Sequence, residues 1–284
     1  MVLAARRTEV LNQVADEVRA AGGTSLVVTT DVAKAADISR LAAAVARFGK
    51  IDVWINNAGV GVIGPFRNAP VEDYSRLVDV NLKRVIHGSH AALIQFRRQG
   101  YGTLVNMGSV DSEVPHAYQA AYSATKAGVL SPGRTLREEI RRSDVRTIKV
   151  ATVMPWVEDT PFWRHADNYS GGAPRMAAMD DPSVAVNTLV RACLDPREEM
   201  PAGWKAGAAV ASHKIFPDLT ESLTGSIAHK YQIQTAPPAP PGSGTLHTPM
   251  AGGTGVDDGV RDRIKREGVR PRRQWDSTIQ RAAL

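Results

Sequence analysis

Through the first 155 residues, short apolar or β-branched runs alternate with longer stretches whose apolar side chains recur every three to four positions. That alternation predicts a parallel sheet with crossover helices. Val2 to Ala4 reads as a strand, and Thr8 to Ala21 as a helix with Val10, Leu11, Val14 and Val18 on one face, stopped by Gly22-Gly23. Ser25 to Thr30 reads as a buried strand, Ala33 to Phe48 as a helix carrying Ile38, Leu41 and Val45, and Ile51 to Asn56 as a further strand. Ala69 to Gln99 follows as one long helix, Gly102 to Met107 as a strand, Ala117 to Arg142 as a second long helix, and Thr147 to Met154 as a strand entering Pro155. A helix from Pro182 to Leu194 and a short strand at Glu199 to Pro201 complete the sheet. Residues 157–180 show no period, as lids and disordered segments do.

Residues 1–205 form the α/β unit, and one more helical pattern fills 206–230. The run Ala236-Pro237-Pro238-Ala239-Pro240-Pro241-Gly242-Ser243-Gly244 then reads as a linker or strap, so 231–284 is expected to be an extended arm. The arm holds 8 basic and 5 acidic side chains, half of the chain's net charge of +6, which leaves the α/β body a weak candidate for nucleic-acid binding. Seven of those basic residues lie between Arg261 and Arg273, a solvated arm or a contact for an anionic partner or membrane surface. Cys193 is the only cysteine, so no intrachain disulfide forms and a Cys-ligated zinc site is excluded, which fits a reducing, cytoplasmic setting. No apolar run reaches the roughly 20 residues of a transmembrane span. His87 and His90 lack supporting acidic or thiol ligands, so no metal is expected.

The chemistry begins with Tyr122-Ser123-Ala124-Thr125-Lys126: a Tyr and a Lys four apart on a helix project from one face. A phenol is a poor proton donor or acceptor at neutral pH until a nearby ammonium stabilises the phenolate. Asn106-Met107-Gly108-Ser109 ends a strand 13 residues before Tyr122, Asn81 lies 28 residues before Ser109, and Asn56-Asn57-Ala58-Gly59 closes the preceding strand. In a parallel sheet, ligands bind beyond the carboxyl ends of strands, where these groups meet.

With these residues in this order, residues 1–205 resemble the short-chain dehydrogenase/reductase family, whose members have a Rossmann-type, doubly wound parallel sheet and use a nicotinamide cofactor. The resemblance implies an oxidoreductase that interconverts an alcohol and a carbonyl. Tyr122 would be general acid/base, Ser109 would orient the carbonyl, Lys126 would lower the Tyr pKa and hold the nicotinamide ribose, and Asn81 would hold a relay water. It also implies cofactor contacts at Asp31, Val32, Asn57, Ala58, Gly59, Pro155, Trp156, Val157 and Thr160, and a homo-oligomer through the helices at 69–99 and 117–142. Where the second strand of such a fold ends, an acid accepts from a ribose 2′-OH and arginine accommodates a 2′-phosphate. Here stand Arg6 and Arg7, favouring NADP(H) over NAD(H), with a solvated helix start as the alternative. Asp31 could equally cap the next helix.

Three departures qualify the resemblance. Nothing before Arg6 supplies the Thr-Gly-x3-Gly-x-Gly turn that approaches the pyrophosphate, so the first strand and phosphate loop are expected to be missing. The missing strand would be central, and three outcomes follow: the chain is a shortened version of a longer protein, the Val2 strand pairs directly with the Ile51 strand, or water and a partner fill the cleft. Trp156 follows Pro155 where the family usually has glycine, narrowing the site or stacking on a ligand. Pro132 should kink the second long helix after Lys126. Trp156, Phe162, Trp163 and Tyr169 suggest an apolar or ring-bearing substrate, or simply core packing, and His116 is at most a substrate contact. The alternative to an enzyme is a non-catalytic interaction protein with an incomplete cofactor cleft.

Overall fold

The computed structural model describes residues 1–268. The chain opens with β1 (Val2–Ala5), α1 (Thr8–Ala20), β2 (Leu26–Thr29), α2 (Ala35–Phe48), β3 (Val53–Asn56), the short β4 (Val62–Ile63) and α3 (Val71–Val78). Next come α4 (Arg84–Gln99), β5 (Gly102–Met107), α5 (Ala120–Arg141), β6 (Ile148–Pro155), the short α6 (Phe162–His165) and β7 (Asp167–Asn168). The last elements are α7 (Ser183–Leu194), β8 (Glu199–Ala202), α8 (Gly203–Ile215), α9 (Pro217–Ala228) and α10 (Val260–Glu267).

The helix expected from Ala69 to Gln99 is divided by a π-turn at Asp79–Lys83. Such a turn widens the helix by one residue, and here it presents Asn81 inward, fully buried. By contrast α5 continues through Pro132 to Arg141. Gly133 keeps that stretch close to the sheet, since a Cβ there would lie 2.7 Å from Thr152 Oγ1.

Strands β3, β5, β6 and β8 form a parallel sheet in the order β3-β5-β6-β8, with Asn56 opposite Asn106. Side-chain alternation sends Leu104 and Val150 to one face, where they pack with Leu41 and Val45 of α2 and Ala92 and Phe96 of α4. Val105, Ala151 and Val153 face the other way, against Ala192 of α7 and Met200 of β8. Helices therefore cover both faces, the doubly wound α/β arrangement of a Rossmann-type fold.

β1 and β2 form a separate parallel pair, Val2 opposite Leu26. The expected absence of a first strand and its loop is not confirmed, because the chain opens on a strand. Direct pairing of the Val2 strand with the Ile51 strand is not found: β1 and β3 belong to different sheets. Val2, Ala4 and Val28 join the two sheets through side chains, packing against the cluster that contains Ile51 and Trp54.

The arm is extended only in part. Residues 236–256 cross the body as a strap: Ala173 N–H donates to Pro237 O at 2.8 Å, Asn168 pairs with Gly242, and Thr245 N–H donates to His165 O at 2.8 Å. Beyond the strap α10 is helical, and its first N–H groups, of Val260 and Arg261, donate to Asp159 at 2.9 and 3.0 Å. The basic run expected from Arg261 to Arg273 is described as far as Arg266, with Arg261 paired to Asp159 and Asp181. Arg270, Arg272 and Arg273 lie outside the described residues. Among the described residues no helix is long and apolar enough to cross a membrane.

Candidate active site

Strand β5 delivers Gly108 and Ser109 to the carboxyl edge of the sheet, and the chain turns there because Ser109 caps a single 3₁₀ turn, Val110–Ser112. Ser109 Oγ accepts from Asp111 N–H at 3.2 Å, while Ser112 Oγ accepts from Ser109 N–H at 3.2 Å. The Ser109 hydroxyl is also hydrogen-bonded to the Tyr122 phenol. One turn into α5, Tyr122 and Lys126 lie on the same buried face, with the Lys126 Nζ 5.5 Å from the Tyr122 ring centroid. Lys126 Nζ donates to Met107 O at 3.0 Å, tying α5 to the end of β5.

Below these groups the strand ends are locked by a polar cluster. Trp54 Nε1 donates to Asn56 Oδ1 at 3.0 Å, and Asn56 Nδ2 donates to Asn106 Oδ1 at 2.8 Å and Ser89 Oγ at 3.2 Å. Gly88 permits this approach of α4, since a Cβ there would fall 2.2 Å from Asn56 Oδ1. Asn81 pins the loop after β3: its Oδ1 accepts from Val60 N–H at 2.9 Å, and its Nδ2 donates to Val60 O at 2.9 Å and Thr125 Oγ1 at 3.2 Å. Both amide hydrogens are thus committed to protein acceptors.

Burial, first, and the Asp111 carboxylate push the Tyr122 phenol above its ordinary pKa, against the opposing pull of Ser109 and Arg84. The expected lowering of the Tyr122 pKa by Lys126 is therefore not found. Lys126 is itself pulled down to about 7, by burial and by repulsion from Arg84, with Asp111 opposing. Arg84 is only 2% exposed, and its Nε and Nη2 have no hydrogen-bond partner. Burial draws its pKa down to about 10, so it remains cationic at neutral pH. Asp111 also pairs with buried His116, whose imidazole is held above its usual pKa because that attraction outweighs desolvation. Opposite them Glu158 is raised to about 8 by burial and by Asp180 and Asp181, although it accepts from Ala185 N–H at 3.0 Å.

A cavity of about 410 Å³ brings Asn57, Gly59, Ser109, Tyr122 and Lys126 together with Pro155, Trp156, Val157 and Thr160. Trp156 forms one wall, its Nε1 donating to Ala178 O at 3.1 Å. A second cavity of about 320 Å³, at the ends of β1, β2 and β3, collects Arg6, Arg7, Asp31, Val32, Asn57, Ala58 and Gly59. Asn57 and Gly59 line both, so the two cavities adjoin on the loop after β3, one reaching Tyr122 and the other the arginines. Asp31 Oδ1 accepts from Ala33 N–H at 3.1 Å and Oδ2 from Arg76 Nη2 at 2.8 Å. Burial opposes its charge, but these bonds hold its pKa below the usual carboxylate value.

The model of the short chain dehydrogenase family matches residues 1–169, more than half of the chain. The chain belongs to the short-chain dehydrogenase family. Among relatives, uncharacterized oxidoreductase YxnA of Bacillus subtilis is 29% identical over 244 residues, covering 84% of this chain and 68% of that protein. A short-chain dehydrogenase/reductase from Burkholderia phymatum, solved with NAD, superposes with a TM-score of 0.67 at 23% identity over 78% of this chain and 85% of that one, a likeness of fold. A metagenomic short-chain oxidoreductase solved with NADP is 33% identical, with a TM-score of 0.51, over 54% of this chain and 69% of that one. As a short-chain dehydrogenase the protein is an oxidoreductase of a family that acts on small molecules, and the two solved structures were bound to NAD and to NADP.

Of the catalytic and cofactor-binding residues expected from this dehydrogenase's sequence, all but Asn81 line one of the two cavities, and Asn81 stands behind them holding Val60. Of the expected substrate contacts, Trp156, Phe162 and Trp163 line the first, whereas His116 pairs with Asp111 and Tyr169 with Asp73 outside both. Arg84, Asp111 and Glu158 were not singled out. Asp111 stands two residues after Ser109 and could have been noticed there. Arg84 and Glu158 carry no such mark, since only packing shows them buried and close to the other charges.

Proposed function

We propose that this short-chain dehydrogenase interconverts an alcohol and a carbonyl with NADP(H) and that Tyr122 is its general acid/base. The observation that carries the reading is the convergence of Ser109, Tyr122 and Lys126 on a cavity that shares Asn57 and Gly59 with the cavity holding Arg6 and Arg7. A dinucleotide would span the two adjoining cavities. Arg6 and Arg7 would take a 2′-phosphate, Asp31, Val32 and Ala58 the adenosine, Asn57, Gly59 and Lys126 the second ribose, and Pro155, Trp156, Val157 and Thr160 the nicotinamide end. When bound, the cofactor supplies or accepts the hydride.

The chain's own residues handle the proton. A phenol held above its ordinary pKa remains protonated at neutral pH, so Tyr122 Oη is set to donate to a carbonyl oxygen. The Ser109 hydroxyl, which bonds the phenol, would turn to donate to the same oxygen and fix its orientation. Trp156, Phe162, Trp163 and Leu189 give the remaining wall an apolar, partly aromatic character, which suits an apolar or ring-bearing substrate. Tyr122→Phe should reduce carbonyl reduction by at least a hundredfold, with NADPH binding kept, as read by steady-state turnover and fluorescence titration. Turnover at the wild-type rate would remove Tyr122 from the mechanism.

The oligomer is part of the same proposal. Helices α4 and α5 leave an apolar groove of about 620 Å³ between them, lined by Ile86, Leu93, Ile94, Leu136 and Ile140. A second copy would cover it through the same helices.

A further inference from the structure

The arginines of the second cavity are already occupied. Arg6 Nη1 donates to His247 O at 3.1 Å and to Leu246 O at 3.4 Å, and Arg6 Nη2 donates to Thr245 O. Arg7 Nη1 donates to Met250 O at 3.0 Å and Gly252 O at 3.2 Å. Five backbone carbonyls, about 240 residues away in sequence, thus surround the two cationic heads. Thr245 and Pro249 also line the cavity itself.

We propose that residues 244–252 are an internal occupant of the Arg6–Arg7 pair, which a nucleotide bearing a 2′-phosphate displaces in order to bind. This rests on the reading that those arginines receive the phosphate.

Besides the two arginines, the strap is held by Arg76 Nε, which donates to Leu246 O at 3.3 Å, by His165, whose carbonyl accepts from Thr245 N–H at 2.8 Å and whose Nε2 lies 3.1 Å from Gly252 O, and by the groups that follow. Leu246 is its peg, fully buried among Val60, Val62, Leu77 and Val80, in the cluster that includes Tyr122. Gly244 allows the chain to reach the peg: its N–H donates to Asp167 Oδ1 at 2.7 Å, and a Cβ there would lie 2.0 Å from His165 O. His247 Nε2 lies 2.8 Å from Asp73 Oδ1, on an exposed stretch. Between His247 and Gly252 no residue is buried, so the portion lying on Arg7 has no apolar anchor of its own.

The carbonyls are neutral acceptors. A phosphate offers the same guanidinium groups charge-assisted, bidentate bonds roughly twice as strong as neutral ones. It therefore competes well for the arginines, but its apparent affinity falls by the fraction of molecules in which the strap is seated. A nucleotide with a free 2′-OH has less to gain from displacing the strap. The strap therefore weakens 2′-phosphorylated nucleotides selectively, and loosening it should restore them.

The test uses adenosine 2′,5′-bisphosphate and 5′-AMP as probes, titrated calorimetrically into the full chain and into Leu246→Asp and Gly244→Ala. The two variants unseat the strap by different means, one by charging the peg and one by the His165 clash, so either alone carries the test should the other fail to fold. The expected result is about tenfold tighter binding of the bisphosphate by the variants, with a smaller change for 5′-AMP. Amide hydrogen exchange of 244–252 in the wild type should accelerate on adding the bisphosphate. Equal or weaker bisphosphate binding by the variants, or slowed exchange in the strap, overturns the proposal and makes the strap a roof over the nucleotide. If none of the three proteins binds either probe, the nucleotide reading falls, and this proposal with it.

Discussion

Replacing Lys126 with methionine removes a buried ammonium and keeps most of its volume, which makes it a direct test of the electrostatics at the centre of the site. In the folded protein the group is pulled to about 7. In the unfolded chain it returns to the usual value near 10.4. Between those two values unfolding takes up a proton, so raising the pH stabilises the fold; below about pH 7 both states are protonated and the full cost of the buried charge is present. From about pH 7 to about pH 9.5 the span is two and a half units at about 1.36 kcal/mol each, so the wild type should gain about 3 kcal/mol relative to Lys126→Met. The variant loses the bond to Met107 O, worth about 1 kcal/mol, but that loss does not change with pH. Arg84, and Tyr122 above its ordinary value, titrate higher than this window. Paired urea denaturation curves at half-unit steps would read the difference. A difference that stays flat across the window would refute the claim that Lys126 is buried as a depressed cation.

Arg84→Met should raise stability by about 1–4 kcal/mol at neutral pH, since it replaces an unpaired buried charge with an apolar side chain of similar length. It should also shift the Lys126 inflection above 7, because Arg84 repels that ammonium; an unchanged inflection in the same urea series would separate the two groups. For the oligomer, sedimentation should show wild-type dimers or larger and Ile94→Asp monomers, because the substitution charges an apolar groove. A wild type that sediments as a monomer ends that reading.

Much of the fold was legible because helices and strands record their partners in periods of a few residues. Leu41 and Val45 on α2, and Leu104 beside Val105 on β5, already show which way each face turns. Tyr122 and Lys126 were legible for the same reason: four residues on a helix place two side chains on one face whatever surrounds them.

Other features depend on groups that meet only when distant segments pack. The π-turn that buries Asn81 lies within an apolar pattern that reads as one helix, because a one-residue widening leaves the pattern on either side intact. The Tyr122 pKa goes up rather than down because desolvation and Asp111 outweigh the stabilising groups, a balance set by burial and not by the Tyr-Lys spacing. The sequence by itself determined the alternating elements and the reactive pair, since both follow from short-range geometry. Only the tertiary structure decided that Arg84 lies unpaired beside that pair and that carbonyls from Thr245 to Gly252 occupy Arg6 and Arg7, since charges and carbonyls carry no period that reveals a partner across 240 residues.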